Sequence, residues 1–272
     1  MNRRLTWFNA TSLTLGFAFL YLPMLILIIF SFNESKLVTV WAGFSPKWYG
    51  ELLRNEQFLD AAWVTLKVAA LSSTLATVLG TMAAYVLVRA GRFPGRTLFS
   101  GMIYAPLVMP EVITGLSLLL LFIAIGLDRG VFTIVLAHTT FAMCYVSVVV
   151  SSRLMTFDRS LEEAALDLGC TPFEAFRLVT LPIITPAVIS GWLLAFTLSL
   201  DDLVIASFAS GPSSTTLPIK IFSAVRLGVS PEINALSTIM IAIVAVGVIT
   251  ASLISKRAIQ RQRREEVEGV RA

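Results

Sequence analysis

The sequence has few of the residues that build disulfide frameworks or metal centres. Among its 272 residues are two cysteines, Cys144 and Cys170, and a single histidine, His138. Because one cysteine falls in an apolar run and the other in a polar turn, we predict that they stay unpaired and act as small apolar side chains. We predict no metal site. A lone histidine is a weak functional signal, although ionisable groups inside membranes are usually buried and paired.

Charged residues are also scarce, which excludes an ordinary soluble domain. They make up 14% of the chain and apolar residues 56%, against roughly 25% and 45–50% in soluble proteins. The apolar residues form runs of about 20 or more, enough to cross a hydrocarbon core. Short alternating segments typical of a membrane β-barrel are missing. The sequence therefore predicts one all-α membrane domain over residues 1–272, with six spans at 13–32, 62–88, 98–126, 131–151, 183–209 and 233–255.

The basic residues indicate how these spans are oriented. Most of the 21 Lys and Arg residues fall at the N-terminus, at 89–96, at 152–182 and in the tail after residue 255. Since Lys and Arg are enriched on the cytoplasmic side of membrane proteins, we predict that both termini are cytoplasmic. We interpret the basic tail as an anchor at the lipid surface and expect no nucleic-acid partner. The first apolar run is too long for a signal peptide and lacks a cleavage site, so we predict a retained helix.

Motifs for catalysis and for nucleotide binding are missing. The chain has no Gly-x4-Gly-Lys-Ser/Thr loop to hold phosphates, so any energy from ATP must come from another polypeptide. It has neither a His-Glu-x-x-His nor a Gly-x-Ser-x-Gly motif, which disfavours an intramembrane enzyme. We also find no internal repeat of the kind common in secondary transporters. We therefore predict a transport subunit without catalytic residues of its own.

The polar segment 152–182, between the fourth and fifth predicted spans, carries two helix-start signals. Residues 160–163 (SLEE) form a predicted capping box, and Gly169 predicts the end of the helix. Residues 171–174 (TPFE) form a second predicted capping box with proline at the first helical position. Helices this short are unstable alone. We expect their apolar faces, including Phe173 and Phe176 on one shared face, to dock on a partner; the alternative is a loop packed back on the bundle.

Three acids lie inside apolar spans: Glu111, Asp201 and Asp202. Each would cost about 2.5–3.5 kcal/mol at a lipid-facing central position. Glu111 follows two prolines that can break the third span and expose carbonyl groups, which is tolerated where the backbone lines protein or water. Spans three to six contain no Lys or Arg to neutralise these acids. The missing counter-charge is therefore another subunit or a cationic cargo.

The adjacent acids Asp201 and Asp202 would point about 100° apart on a helix. We therefore do not expect both to line a substrate pathway, and one could cap or hydrogen-bond within the bundle. For each of the three acids a structural interior role stays open beside a role in the pathway.

The polar segment also carries a long, spaced motif. Residues 163–169 read EAALDLG and are followed, nine residues later, by VTLP at 179–182. This pattern resembles the EAA motif of bacterial ABC-importer permeases, with Val179 in place of isoleucine. The resemblance implies coupling helices that sit in a cleft of an ATPase subunit. It assigns this coupling role to Glu163, Ala164, Ala165, Gly169, Leu181 and Pro182.

Longer stretches, at 31–41, 107–122 and 199–238, resemble the spermidine/putrescine permeases, and most of all the second permease subunits of putrescine systems. The resemblance implies a six-helix type I ABC-importer permease fold in the bacterial inner membrane. It further implies a second homologous permease as heterodimer partner, two ATPase subunits that hold ATP and Mg, and a periplasmic polyamine-binding protein. Polyamines are polycations, which agrees with the acids inside the spans.

Two other readings stay open. The same permease fold could carry spermidine or another small cationic solute, because the EAA motif is shared across substrates. A self-sufficient secondary transporter would use the acids as ion sites, but it would have no use for the coupling segment.

Overall fold

The computed structural model describes residues 6–37, 40–228, 231–243 and 245–246. Within these ranges the chain is helical, apart from turns, loops and one isolated bridge between Asn33 and Phe44. This confirms the predicted all-α class. The helices are α1 (Trp7–Phe30), α2 (Lys47–Leu52), α3 (Glu56–Arg89), α4 (Arg96–Val108), α5 (Glu111–Ala124), α6 (Val131–Thr156), α7 (Ser160–Asp167), α8 (Pro172–Ala175), α9 (Leu181–Asp201), α10 (Val204–Ala209), α11 (Leu217–Leu227) and α12 (Pro231–Ile243).

Four described helical stretches are long and apolar enough to cross a membrane. They are α1, α3, α6 and the stretch Pro172–Asp201, in which a π-helical turn (Phe176–Thr180) joins α8 to α9. Helices α4 and α5 form a further apolar pair, bent by 118°. Met109 and Pro110 lie extended at the bend, so the proline break predicted for the third span is confirmed. The sixth predicted span is described as α12 and at residues 245–246; the rest of it, and the basic tail, lie outside the described residues.

The described residues fall into two compact units, one drawn from Met1–Glu56 and Ser223–Ala272 and the other from Gln57–Phe222. In the first unit no residue of α1 is buried, whereas the loop after it folds around the buried Asn33. The Asn33 amide donates to the Val40 carbonyl (2.7 Å) and its Oδ1 accepts from the Ala42 N–H (2.9 Å). Trp48 Nε1 donates to the Asn33 carbonyl (2.7 Å), which ties α2 to the loop.

The core of the second unit is built where α3, α6 and α9 approach closely. A Cβ atom on Gly80 of α3 would lie 2.7 Å from the Met143 carbonyl oxygen and 2.8 Å from Val146 Cβ. A Cβ atom on Gly191 of α9 would lie 3.2 Å from Val146 Cγ1. Only glycine leaves room at Gly80, so Val146 packs against the backbones of both neighbouring helices.

The helices depart from two predicted segments. The fifth span was expected to run to residue 209, but α9 ends at Asp201, Asp202 is extended (φ −63°, ψ 123°) and the separate α10 follows. The Asp202 carboxylate accepts the Ala206 N–H at 2.8 Å, so an acid that favours caps and turns interrupts the apolar run. The segment 210–232 was expected to be a loop, yet it contains α11, whose second residue, Pro218, is compatible with a helix start.

Candidate functional site

The first candidate site is a helical hairpin, residues 158–180, comprising α7, α8 and the π-helical turn. The predicted capping box at 160–163 is wrong, because Arg159 already has helical backbone angles (φ −64°, ψ −24°) and offers no cap hydrogen bond. The Asp158 carboxylate instead accepts the Ser160 N–H (3.0 Å). This hydrogen bond from the Ser160 backbone, supported by the Ser160 side chain, holds the pKa of Asp158 below its usual value. A charged acceptor two residues upstream therefore replaces the predicted serine cap.

The turn between the two short helices is as predicted. Gly169 has a left-handed backbone (φ +91°), and the Cys170 N–H donates to the Ala165 carbonyl (3.1 Å), as in a glycine C-cap. The second capping box is confirmed in both directions. The Thr171 hydroxyl oxygen accepts from the Glu174 N–H (3.3 Å), and Glu174 Oε2 accepts from the Thr171 N–H (2.7 Å).

Two adjacent glutamates of α7 differ sharply in exposure. The Glu162 side chain is 10% exposed and forms an ion pair with Arg89 at the end of α3 (Oε2 to Nε, 2.9 Å). The Glu163 side chain is 60% exposed and has only an exposed pair with Arg159 one turn away (3.2 Å), an arrangement that contributes little. The predicted docking glutamate, Glu163, is therefore accessible, whereas the neighbour that sequence reasoning passed over is buried.

Phe173 of α8 and Phe176, the first residue of the π-helical turn, diverge, contrary to the prediction of a shared face. Phe176 packs edge-on against Tyr85 of α3, with ring centroids 4.9 Å apart. Phe173 is 70% exposed. Residues three apart on an α-helix still point about 60° away from one another, which is enough for one ring to pack inward while the other stays outside.

The outer face of the hairpin is apolar and accessible. Leu168 is 87% exposed, and the other exposed large apolar residues here are Leu161, Leu166, Phe173 and Leu178. Of the residues assigned to coupling, Glu163, Ala164, Gly169 and Pro182 are exposed, Leu181 is half-buried and Ala165 is buried. Ala165 thus packs inward on the same face as Glu162, three residues before it.

The second candidate site lies at the α9–α10 break. There the buried His138 of α6 lies between Asp202 and two serines. Its Nε2 lies 3.4 Å from Asp202 Oδ1 and its Nδ1 is 2.7 Å from Ser199 Oγ. Ser199 Oγ also accepts from the Ser72 hydroxyl of α3 at 3.1 Å. Four polar side chains from α3, α6, α9 and the break thus cluster inside the unit; hydrogen bonds join Ser72, Ser199 and His138, whereas His138 Nε2 lies near Asp202 without a hydrogen bond.

The other two acids stand apart from this cluster. Glu111 begins α5 just after the bend, and Asp201 ends α9 just before the break; both are exposed in the single chain. Neither has an ion-pair partner in the part of the chain that the structure describes. The structure therefore separates the three predicted acids into one that is used internally, Asp202, and two that are available to something outside the chain.

Sequence reasoning missed three residues that organise the hairpin: Glu162, Arg89 and Thr180. A signal was present, because Glu162 and Ala165 are three residues apart and share one helix face, but the motif drew attention to Glu163. The partners of Glu162 are remote in sequence, at the ends of two other helical segments, so no local spacing indicates them.

Comparisons with known proteins identify the family to which this chain belongs. A family model described as the inner membrane component of binding-protein-dependent transport systems matches residues 76–264. The chain is 59% identical to the putrescine transport system permease protein PotI of Escherichia coli strain K12, over 95% of this chain and 94% of that protein. The chain belongs to this permease family. It is an inner membrane transport component and not an enzyme, as predicted.

Further relatives agree with the family assignment. The spermidine/putrescine transport system permease protein PotC of Escherichia coli strain K12 is 44% identical, over 90% of this chain and 92% of that permease. The crystal structure of a bacterial ABC transporter involved in the import of the acidic polysaccharide alginate matches with a TM-score of 0.69 at 18% identity, covering 91% of this chain and 94% of that one. An amino acid ABC transporter matches with a TM-score of 0.56 at 18% identity, covering 77% of this chain and 98% of that one. The family's type I ABC-importer permease fold is thus confirmed.

Proposed function

We propose that this permease carries polyamines, and putrescine first among them, across the bacterial inner membrane. The observation that carries the proposal is the 59% identity to a putrescine permease, sustained over 95% of the chain. The 44% identity to a spermidine/putrescine permease supports the same substrate class and makes spermidine the second candidate.

The available acids support a cationic cargo. Glu111 and Asp201 each lie at an interruption of an apolar helix and are exposed in the single chain. Carboxylates and the freed backbone carbonyls at such interruptions can replace the water that an ammonium group loses on entering the membrane. An inside-negative potential favours entry by about 2.3 kcal/mol per charge per 100 mV. ATP hydrolysis would then mainly drive alternating access.

The hairpin supports a docked ATPase. Its outer face presents exposed leucines and Phe173 beside Glu163 and the small Ala164, and an exposed apolar patch on a polar segment is typical of a protein interface. We propose that Glu163, Ala164, Gly169 and Pro182 contact the ATPase, while Ala165 and Leu181 support them from behind. The ATPase, and not this chain, would hold ATP and Mg.

The remaining partners complete the transporter. We propose a heterodimer with a second homologous permease, two ATPase subunits and a periplasmic polyamine-binding protein. The exposed acids on α5 and α9 favour a pathway shared with the second permease, since one chain leaves them uncovered. With both termini cytoplasmic, the hairpin after α6 lies on the ATPase side of the membrane, consistent with the positive-inside distribution of Lys and Arg.

The test is uptake by the reconstituted complex. The permease is purified with the second permease and the ATPase encoded beside it, placed in liposomes containing ATP and Mg, and supplied with the binding protein and labelled putrescine. We expect uptake that requires both ATP and the binding protein and that unlabelled spermidine inhibits more weakly than unlabelled putrescine. Uptake by the permeases alone would instead indicate a secondary transporter. If neither unlabelled putrescine nor unlabelled spermidine reduced the uptake of labelled putrescine, polyamines would be excluded as the specific cargo.

A further inference from the structure

The buried carboxylate of Glu162 joins three helical segments. Its Oε2 lies 2.9 Å from Arg89 Nε, and its Oε1 accepts both Arg89 Nε (3.1 Å) and the Thr180 hydroxyl (2.7 Å). Glu162 lies in α7, Arg89 is the last residue of α3, and Thr180 is the last residue of the π-helical turn directly before α9. One side chain therefore connects the hairpin to the ends of two membrane-spanning helices.

The surroundings make this junction stiff. The Arg89 guanidinium lies over the Phe157 ring, with Cζ 5.5 Å from its centroid, and both members of the ion pair are about one-tenth exposed. Removing one partner of a buried pair leaves the other charge uncompensated and is far more disruptive than losing an exposed pair. The Phe176–Tyr85 contact holds the hairpin to α3 a second time. Displacing the hairpin must therefore move α3 and α9 with it or break the junction.

The neighbouring Glu163 gives the contrast that defines the role. It differs from Glu162 by one position, but its side chain is 60% exposed and its ion-pair partner is Arg159, directly before α7. A contact made by the ATPase on the outer face would be transmitted to the membrane helices through the inner face, and Glu162 is the ionic group on that inner face.

We propose that Glu162 is the positioning residue that transmits ATPase movement from the hairpin to α3 and α9, with Arg89 and Thr180 as its two anchors. This inference rests on the proposed docking of an ATPase on the hairpin. It assigns different roles to two consecutive residues. Glu163 contacts the ATPase, and Glu162 transmits the movement of the ATPase to α3 and α9.

The experiment uses the full complex in liposomes and measures three quantities for each variant: ATPase retained on the purified permease, ATP hydrolysed, and labelled putrescine taken up. For Glu162→Gln we expect normal ATPase retention but a ratio of uptake to hydrolysis reduced about tenfold. The substitution removes the charged interaction with Arg89, and the loss of one such interaction corresponds to a change of about tenfold. For the matched control Glu163→Gln we expect weaker ATPase retention and an unchanged ratio for the complexes that remain assembled.

Two further variants keep the result decisive. Thr180→Val keeps the shape of the side chain and removes only its hydrogen bond to Glu162, so it reports on the junction if Glu162→Gln fails to fold; we expect a smaller fall in the same ratio. Exchanging the charges in Glu162→Arg with Arg89→Glu should recover part of the ratio that Arg89→Glu alone loses.

An unchanged uptake-to-hydrolysis ratio in both Glu162→Gln and Thr180→Val would overturn the inference, and so would loss of ATPase retention in Glu162→Gln equal to that in Glu163→Gln. If the ATPase stayed bound after the whole outer face of the hairpin was replaced, the docking proposal itself would fail, and this result is distinct from the first two.

Discussion

His138 Nε2 and Asp202 Oδ1 lie 3.4 Å apart inside the protein, at the point where α9 stops and α10 begins. The same Asp202 oxygen also accepts a hydrogen bond from the Ala206 N–H of α10 at 2.8 Å. The sequence places both residues in apolar runs remote from one another. The hydrogen bond from the Ala206 N–H to Asp202 begins α10 and interrupts the fifth span, and His138 lies beside that interruption.

We predict that Asp202 stabilises the fold whereas Asp201 does not. Asp202→Ala removes the acceptor for the Ala206 N–H and should lower stability by about 1–2 kcal/mol, as the loss of a helix cap does. Asp202→Asn keeps an acceptor and should lose less. Thermal unfolding of the detergent-purified protein measures both, with Asp201→Ala as control; equal losses at positions 201 and 202 would contradict the assignment.

Neutralising the two exposed acids should impair transport without impairing folding. In Glu111→Gln and Asp201→Asn we expect putrescine uptake to fall about tenfold, corresponding to the loss of one charge-assisted contact to the cargo. Asp128→Asn, which neutralises an exposed acid in the turn after α5, serves as the matched control. Near-normal uptake in both variants would exclude their role in the pathway.

The contact of Gly80 with Val146 predicts a sharp difference between two glycines. In Gly80→Ala the new Cβ would lie 2.7 Å from the Met143 carbonyl oxygen, so we expect destabilisation by about 1–3 kcal/mol from overpacking. Gly101 of α4 has no atom within 4 Å of its Cβ position, and Gly101→Ala should be neutral or stabilising by up to about 1 kcal/mol. The measurement is the unfolding temperature of each purified variant. A lower unfolding temperature for Gly101→Ala than for Gly80→Ala would refute the prediction.

The lowered pKa of Asp158 predicts how α7 responds to acid. Hydrogen bonds from Ser160 favour the charged carboxylate, so the cap is complete above the unfolded pKa of about 3.9 and is lost as the pH falls through the lower folded pKa. Amide exchange in the first turn of α7, corrected for its intrinsic pH dependence, should accelerate only at the acid end of a series from about pH 6 to about pH 3. Asp158→Asn should abolish this pH dependence; if it persists, another group is responsible.

Phe173 and Phe176 should separate docking from folding. Phe173→Ala removes an exposed ring and should weaken ATPase retention while leaving thermal stability unchanged. Phe176→Ala removes the ring that packs on Tyr85 and should lower stability, by up to about 3 kcal/mol for a partly buried aromatic ring. Co-purification of the ATPase and unfolding of the permease alone are the two measurements, and a Phe173→Ala variant that binds the ATPase normally would count against the docking face.

Local signals in the sequence predicted the elements that local chemistry determines. The apolar runs indicated the long helices, the prolines before Glu111 indicated the bend, and Gly169 with the box at 171–174 indicated the hairpin turn. Interactions between remote residues were beyond such signals. The pairing of Glu162 with Arg89 and of His138 with Asp202 depends on which helices become neighbours, and one sequence carries no direct record of that.

The interruption at Asp202 was not predicted, for a related reason, although a capping role for one of the two adjacent acids was left open and is confirmed for Asp202. An acid in an apolar run was interpreted through the cost of burying its charge, and the ability of aspartate to cap a helix was given only second place. Both effects act on the same pair of residues: Asp202 caps, and Asp201, one position earlier, stays accessible. The adjacent positions diverge because the backbone leaves the helix between them.

The close packing of Val146 of α6 against Gly80 of α3 and Gly191 of α9 has a mechanical consequence. Close packing of a branched side chain against two backbones resists sliding of one helix along another, because sliding would require the helices to separate first. We therefore expect α3, α6 and α9 to move together as one rigid body, and we expect relative movement at the interrupted segments around Pro110 and Asp202 instead.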